Sequence, residues 1–174
     1  MNYLKFTIGF IFVFSMISCS SPKPTDGSDE KFAQRAISVK YASTKDLNIY
    51  DNQSHVIPLV IYQLNNINSF DSLKKDKDGI VKLLEAKKFD ESVMSVDKFY
   101  VSPNETKELV LDRAAKTVWI AMVAGYYDMQ PSQSTLKYQT PSYTAWEFWN
   151  SEERQKYLQI NIYLNTSSIE QRQE

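Results

Sequence analysis

The chain is poor in the residues from which most active sites and metal sites are built. It has one cysteine, Cys19, among 174 residues, which excludes an internal disulfide and a cysteine-rich metal site. Its single histidine, His55, lies in the polar stretch YDNQSHVIP, without the partners that a zinc site or a catalytic triad requires. Four glycines, one of them in the N-terminal apolar run, leave no glycine-rich loop to hold a phosphate.

A large excess of either charge is also missing. Of the 20 lysines and arginines only Lys5 precedes Cys19, and they face 21 aspartates and glutamates. Nucleic acid is therefore not an expected partner. A hydrophobic content of 43% suffices for a core, and 13% aromatic residues suit a sheet-rich protein. Catalytic carboxylates can assemble from distant positions, so an enzyme stays open as the disfavoured alternative, and we expect no catalysis.

The N-terminus has the pattern of a secretory signal. Lys5 precedes an uncharged apolar run of about a dozen residues, well short of the ~20 that cross a bilayer as a helix. The four residues 16–19, Met-Ile-Ser-Cys, resemble a bacterial lipobox, although leucine is usual where Met16 stands. The resemblance implies cleavage before Cys19 and acyl chains on its sulfur and its new α-amine. The alternative is a plain signal peptide with an incidental cysteine.

Three segments are predicted along the chain. Residues 1–18 are the lipoprotein signal peptide, and residues 19–35 are an acylated cysteine with a flexible tether rich in proline, serine and charge. Residues 36–174 form one folded domain. Bacterial lipoproteins with aspartate after the cysteine tend to stay in the inner membrane; Ser20 stands there instead, so we expect anchoring to the periplasmic face of the outer membrane.

Alternating apolar residues predict a mainly β domain. The expected strands are residues 36–42, 58–64, 92–101, 106–112, 117–128, 143–149 and 156–165. Helix is expected only at about 69–91, with Ser69 as a cap and a restart at Asp78. Seven strands and one helical insertion, between strands 2 and 3, indicate a β-sandwich with a small helical appendage.

One stretch imitates a calcium-binding loop. Counted from Lys74, KKDKDGIVKLLE places acids at positions 3, 5 and 12 and Gly79 at position 6, as in an EF-hand. Lys74 and Lys82 occupy two positions that ligands should fill, and these cations argue against a bound dication. We therefore interpret the stretch as a helix, a turn and a second helix capped by Asp78.

A family resemblance rests on motifs in a fixed order. The chain has Leu47-Asn48, then PLVIYQL at 58–64, then FDSLKKD and IVKLL, and finally Pro103, TKELVLD and TVWIAMVAGYYD. This order resembles the TssJ (SciN) family of type VI secretion lipoproteins. The resemblance covers about residues 36–128 and the lipobox. After Tyr127 the chain departs from the family, because Trp146 has no arginine beside it.

The resemblance implies a fold and a role. The fold is a transthyretin-like two-sheet β-sandwich with a helical insertion. The role is to bind the periplasmic C-terminal domain of TssM, an inner-membrane protein, and so to tie the trans-envelope complex to the outer membrane. It implies no catalysis, no small-molecule substrate and no cofactor apart from the lipid on Cys19.

The family resemblance points to the loop between strands 1 and 2 as the docking site. If successive strands run antiparallel, the loops at 51–57, 102–105 and 128–143 emerge together, at the end opposite the tether. The first loop is expected to be short. The predicted partner-binding residues in these loops are Asp51, Asn52, Gln53, Ser54, His55, Asn104 and Met129.

Two other functions remain open. A generic periplasmic lipoprotein would bind a small ligand in an apolar pocket, lined by the YTAWEFW stretch at 143–149. A pilotin-like or chaperone lipoprotein would serve another secretion machine and add a partner segment to a sheet edge.

Overall fold

The computed structural model describes residues 31–140 and 157–172. Within these ranges the chain forms eight strands and two helices. The strands are β1 (Ala33–Ser43), β2 (Ile57–Leu64), β3 (Val93–Val101), β4 (Thr106–Arg113), β5 (Trp119–Ala124), β6 (Thr135–Gln139), β7 (Leu158–Leu164) and β8 (Ile169–Gln171). The helices are α1 (Asn68–Leu73) and α2 (Lys77–Leu84), both between β2 and β3. In the part of the chain so described, neither helix is long and apolar enough to cross a membrane.

The strands form two four-stranded sheets. Sheet I has the order β4-β1-β7-β8, and sheet II has the order β3-β2-β5-β6. The paired strands are antiparallel, except that β1 and β7 run parallel. The predicted two-sheet sandwich with a helical insertion between strands 2 and 3 is confirmed.

Strand β2 is buried on both faces, which explains why its sequence is apolar at nearly every position. Ile57, Leu59 and Ile61 belong to the core between the sheets. Val60 and Tyr62 face the other way and pack with the helices, because side chains alternate along a strand. A strand exposed to water on one face would need polar residues at these alternate positions.

The two helices cover the outer face of sheet II. Their buried side chains Phe70, Ile80 and Leu83 pack against that face. Asp76 caps α2, since its carboxylate accepts a hydrogen bond of 2.8 Å from the backbone N–H of Gly79. The remaining cap assignments are corrections: α1 begins at Asn68 without Ser69 as a cap, and Asp78 lies within α2. Asp76 is the better cap because its extended backbone aims the carboxylate at the first turn.

The calcium-loop imitation is therefore part of a helical hairpin. Gly79, which would turn an EF-hand loop, lies inside α2 and against the backbone carbonyl of Leu73. A side chain there would clash with that carbonyl, so the glycine allows α1 and α2 to approach each other. Across residues 31–140 and 157–172, no group of three or more potential metal ligands comes together.

Several predicted boundaries differ from the structure. Strand β1 begins at Ala33, three residues early, because a register shift between Ala33 and Ile37 adds a bulged pairing with β4. The predicted strand at 117–128 is shorter, and β6 lies in the expected loop at 128–143. Strand β8 was not predicted. The expected strand at 143–149 lies outside the described residues.

The sandwich has two distinct ends. Because β1 begins at one of them, we name it the root end; β4 finishes there and β7 begins there. The other is the loop end, where the β1–β2, β3–β4, β5–β6 and β7–β8 connections emerge. The strand directions therefore bring two of the predicted loops, 51–57 and 102–105, and residues 128–134 of the third to one end, as antiparallel succession requires.

A buried amide joins the two sheets near the root end. Gln63, on β2, donates from Nε2 to the carbonyl oxygen of Asp112 at 2.8 Å. Its Oε1 accepts from the backbone N–H of Ala114 at 2.8 Å and from the hydroxyl of Thr117 at 3.2 Å. Gln63 is buried, so these bonds satisfy a polar side chain that would otherwise be costly to bury. One side chain of sheet II thus fixes the end of β4 in sheet I.

Replacing this amide should weaken the whole domain. Gln63→Leu keeps the volume but leaves the polar groups around it without these bonds, so we expect the free energy of unfolding to fall by about 3 kcal/mol. Urea unfolding followed by circular dichroism measures it. Gln159→Leu, on the exposed face of β7, is the control and should change stability by no more than about 0.5 kcal/mol. Equal effects of the two substitutions would contradict the role of Gln63.

Candidate partner-binding site

The connections at the loop end are hydrogen-bonded to one another. The backbone N–H of Asn104 donates to the carbonyl of Thr44 at 3.1 Å, and that of Asn48 donates to Thr166 at 2.9 Å. The hydroxyl of Ser43 donates to the carbonyl of Ser102 at 2.7 Å. The β1–β2 loop is therefore fixed to both the β3–β4 and the β7–β8 turns, and the loop end is one continuous surface.

The β1–β2 connection is longer than predicted. It runs from residue 44 to residue 56 rather than over 51–57, because β1 already ends at Ser43 and Leu47 turns back to become a buried core residue. The hydroxyl of Ser54 donates to the carbonyl of Lys45 at 2.8 Å, which holds the two arms of the loop together. The expected short loop is thus replaced by a folded projection.

The tip of this projection is a miniature hairpin. Tyr50 and Gln53 exchange two backbone hydrogen bonds of 2.9 and 3.0 Å. Between them Asp51 and Asn52 have φ angles of 51° and 58°, as a type I′ turn requires at both central positions. Asp and Asn tolerate this left-handed conformation better than most residues. The sequence Asp51-Asn52 therefore favours this turn type.

An exposed aromatic pair stands beside the hairpin. The rings of Tyr50 and Tyr127 have centroids 3.9 Å apart and planes inclined by 31°, although 48% and 64% of their surfaces remain exposed. The backbone N–H of Tyr127 donates to Oδ1 of Asn48 at 2.7 Å. Ile49 and Val56, also exposed, extend the apolar surface on the same loop.

The predicted contact residues occupy this end with different exposure. Asp51, Asn52, Gln53 and Ser54 are exposed in the hairpin, and Asn104 is exposed in the β3–β4 turn. His55 is half-buried: its backbone N–H donates to Leu47, and its ring lies 6.3 Å from that of Tyr50. Met129 packs against both hydrophobic clusters, so much of its side chain supports the β5–β6 loop from within.

The side chains best suited to docking were not predicted from sequence. Ile49, Tyr50 and Val56 flank the polar turn, and Tyr127 was assigned to the end of a strand. A signal existed for Tyr50, because an aromatic residue next to an Asp-Asn turn lies in a hairpin, where one face is free. Tyr127 gave no such signal, since only the fold brings it beside Tyr50.

The connections at the loop end carry more acidic than basic side chains. The connections at the loop end carry Asp46, Asp51, Glu105 and Asp128, against the single lysine Lys45. The aromatic and aliphatic side chains therefore lie in a surface of negative charge. A binding partner with a basic surface around an apolar recess would be electrostatically complementary.

Two tyrosines at the loop end have raised pKa values. The hydrogen bond between the side chains of Tyr50 and Tyr127 raises the pKa of Tyr127. Beneath them, burial and then the nearby charge of Glu105 raise the pKa of Tyr41 to about 12. Because these phenols do not ionise near neutral pH, the negative charge of the surface comes from its carboxylates.

The sequence matches one family model over residues 35–165, most of the chain. That model describes the type VI secretion lipoproteins VasD, EvfM and TssJ. The chain belongs to this family. The match includes the β1–β2, β3–β4 and β5–β6 connections of the loop end. Among curated proteins, no sequence match was found.

Solved structures from type VI secretion systems share the fold. Lip of Serratia marcescens, a membrane-bound component, has a TM-score of 0.64 and 18% identity over 79% of this chain and 97% of that chain. TssJ1 of Pseudomonas aeruginosa gives 0.57 and 15% over 83% and 98%. The structure of the TssM C-terminal domain from EAEC gives 0.56 and 10% over 79% and 98%. At these identities the similarity is one of fold.

Asn48 should stabilise the loop end through its side chain. Asn48→Ala removes the hydrogen bond to Tyr127 and places alanine at a φ of 50°. Asn104→Ala is the matched control, because Asn104 has a φ of 56° and carries only the backbone cost. We expect Asn48→Ala to lower the free energy of unfolding by about 1 kcal/mol more than the control, measured by urea unfolding. Equal losses would contradict the bracing role of Asn48.

Proposed function

We propose that this protein is an outer-membrane-anchored lipoprotein of the type VI secretion membrane complex. It binds the periplasmic C-terminal domain of TssM through its loop end and so tethers the trans-envelope complex to the outer membrane. Family membership supports the secretion role, and the presence of a chain of similar fold in a structure described as the TssM C-terminal domain from EAEC connects this fold with TssM.

The observation that carries the docking site is the exposed pair Tyr50–Tyr127 on a hydrogen-bonded set of loops. Tyrosine is enriched among the residues that dominate binding energy, because one ring buries a large area and leaves few rotamers to freeze. Stacking already orders both rings before a partner arrives. The partner therefore meets a surface whose conformational cost has largely been met in folding.

The backbone of the loop end supports the same conclusion. Asn48, Asp51, Asn52 and Asn104 all have left-handed φ angles between 50° and 58°. Such conformations cost energy and persist only where the surrounding structure fixes them, which is common at binding sites. The two turns are therefore held in one shape, which favours recognition of a preformed partner surface.

The position of the lipid determines which end of the domain lies nearer the attachment to the membrane. We propose that residues 1–18 are removed and that Cys19 carries the acyl chains, two or more of which hold a protein firmly in a bilayer. Because β1 begins at Ala33, the linking segment is residues 19–32 rather than 19–35. That segment reaches at most about 45 Å when fully extended. The loop end, at the far side of the sandwich, is then turned toward the periplasm.

Removing either ring of the pair should weaken binding to the TssM periplasmic domain. Tyr50→Ala and Tyr127→Ala should each raise Kd about thirtyfold, equivalent to about 2 kcal/mol, because each exposes its neighbour and empties part of the interface. Isothermal titration calorimetry with residues 20–174 and the TssM domain of the same bacterium measures both constants. Replacing residues 51–57 by a foreign sequence should also abolish tight binding.

An exposed tyrosine at the root end serves as control for this binding experiment. Tyr157 is 68% exposed, so Tyr157→Ala removes a ring of the same kind from the other end of sheet I and should leave Kd unchanged. Loss of affinity in Tyr157→Ala, with normal affinity in the Tyr50 and Tyr127 variants, would place the interface at the root end and contradict the proposed docking site. Absence of saturable binding by the unaltered chain would reject TssM as the partner.

The proposed anchor changes the molecular mass of the protein, which mass spectrometry can measure. The full chain made in a lipoprotein-processing bacterium should lack residues 1–18 and carry acyl groups on Cys19, as seen by intact mass spectrometry. Cys19→Ser should lose the acyl mass and leave the outer-membrane fraction, whereas Ser20→Ala should retain both. A Cys19→Ser variant that stays in the outer membrane would show that something other than the lipid holds the protein there.

A further inference from the structure

Two exposed aromatic side chains lie at the root end, far from the proposed docking site. Phe32 is 60% exposed and Tyr157 is 68% exposed. They precede β1 and β7, which pair in parallel with Ile37 opposite Leu158. Both aromatics therefore lie at the root end of sheet I, Tyr157 one residue before Leu158 and Phe32 five residues before Ile37, although they are far apart in the sequence.

The chain around Phe32 is fixed to the sheet rather than loosely attached. Ala33 is buried and pairs with Arg113 on β4. The backbone N–H of Arg35 donates to Oδ1 of Asp112 at 2.7 Å, with Arg35 at a φ of 52° in the bulge. Phe32 thus projects from an anchored strand, and its position relative to Tyr157 is set by the fold. Exposed Lys31 and Arg35 flank it.

We propose that the root end rests on the phospholipid surface, with Phe32 and Tyr157 in the interfacial layer. The proposal rests on the proposed lipid anchor at Cys19. Tyrosine is enriched at the membrane–water interface, where its ring meets lipid and its hydroxyl stays hydrated, and the wholly apolar ring of Phe32 is favoured where it leaves water. Lys31 and Arg35 suit the same layer, because their long side chains can reach headgroup phosphates.

The length of the linking segment makes a lipid surface the favoured occupant. Twelve residues, 20–31, separate the anchored Cys19 from Phe32. Two partly inserted rings would bind a membrane weakly from solution, but a link of only twelve residues holds them at an effective concentration of about millimolar. A weak contact is therefore substantially populated once the acyl chains are inserted. No other partner is brought so close to this end by the chain itself.

The contact would orient the docking site. Strand β1 has 11 residues and runs from the root end to the loop end, so it spans about 35 Å at the usual rise per residue. With the root end on the membrane, the Tyr50–Tyr127 pair stands at about that height above the lipid. An upright domain presents its loops to a partner arriving from the inner membrane, whereas a freely swinging one would do so only part of the time.

Two matched reporter positions test the proposal on the mature, acylated chain in vesicles. Once Cys19 is acylated, an introduced cysteine is the single free thiol and can carry one fluorophore. Lys116→Cys places it in the β4–β5 turn at the root end, and Asn104→Cys places it in the β3–β4 turn at the loop end. Both positions are exposed and left-handed, with φ angles of 65° and 56°. Vesicles of phosphatidylethanolamine and phosphatidylglycerol, with and without brominated acyl chains, then report contact by quenching.

We expect quenching of the label at 116 and none at 104. Combining Phe32→Ala with Tyr157→Ala should reduce the population in contact about tenfold, while Tyr50→Ala with Tyr127→Ala should leave it unchanged. With acylation confirmed by mass, equal quenching at both positions, or none at 116, would overturn the membrane contact and leave the anchor intact. A chain without acyl mass would overturn the anchor and this proposal together.

Discussion

The arrangement of the whole molecule depends on how the two sheets are held in register, and one buried amide has a central part in it. Gln63 is the polar side chain that β2 turns toward the interior, where its neighbours on the strand are aliphatic. By bonding to the end of β4 and to the turn that follows, it fixes sheet I over sheet II at the root end. The strands then carry that alignment to the loop end, where their connections meet.

The docking surface follows from this alignment. Four connections leave the sandwich at one end, and backbone hydrogen bonds such as Asn48 to Thr166 join them into one unit. Tyr127 comes from sheet II and Tyr50 from the connection between the sheets, so their stacking depends on sheet position as well as on local turns.

The sequence predicted those features that depend on local pattern. The apolar run at 58–64 was predicted as a strand, and the helices that bury the outer face of β2 were expected from the 69–91 pattern. The short edge strands β6 and β8 escaped notice because five and three residues are too few for alternation to be recognised. The early start of β1 was hidden by a bulge, whose extra residues break the alternation on which the boundary was judged.

The sequence predicted which connections share one end of the sandwich, but not which side chains there would be exposed and aromatic. Antiparallel succession was enough to bring the loops at 51–57 and 102–105, and residues 128–134 of the third predicted loop, to one end. It gave no means of distinguishing the solvated Asp51 and Gln53 from the aromatic pair, because Tyr50 and Tyr127 become neighbours only through the fold. Met129 was chosen for its place in a loop, whereas its packing against both clusters comes from tertiary contacts that a local pattern does not contain.

Hydrogen–deuterium exchange of the protein, alone and with the TssM periplasmic domain, tests the central claim most directly. The account predicts slower exchange in the β1–β2 connection at 44–56 and the β5–β6 connection at 125–134. Exchange in the β4–β5 turn at 114–118, at the root end, should not change. Protection of the 114–118 turn on partner binding, with the two loop-end connections unaffected, would contradict the account.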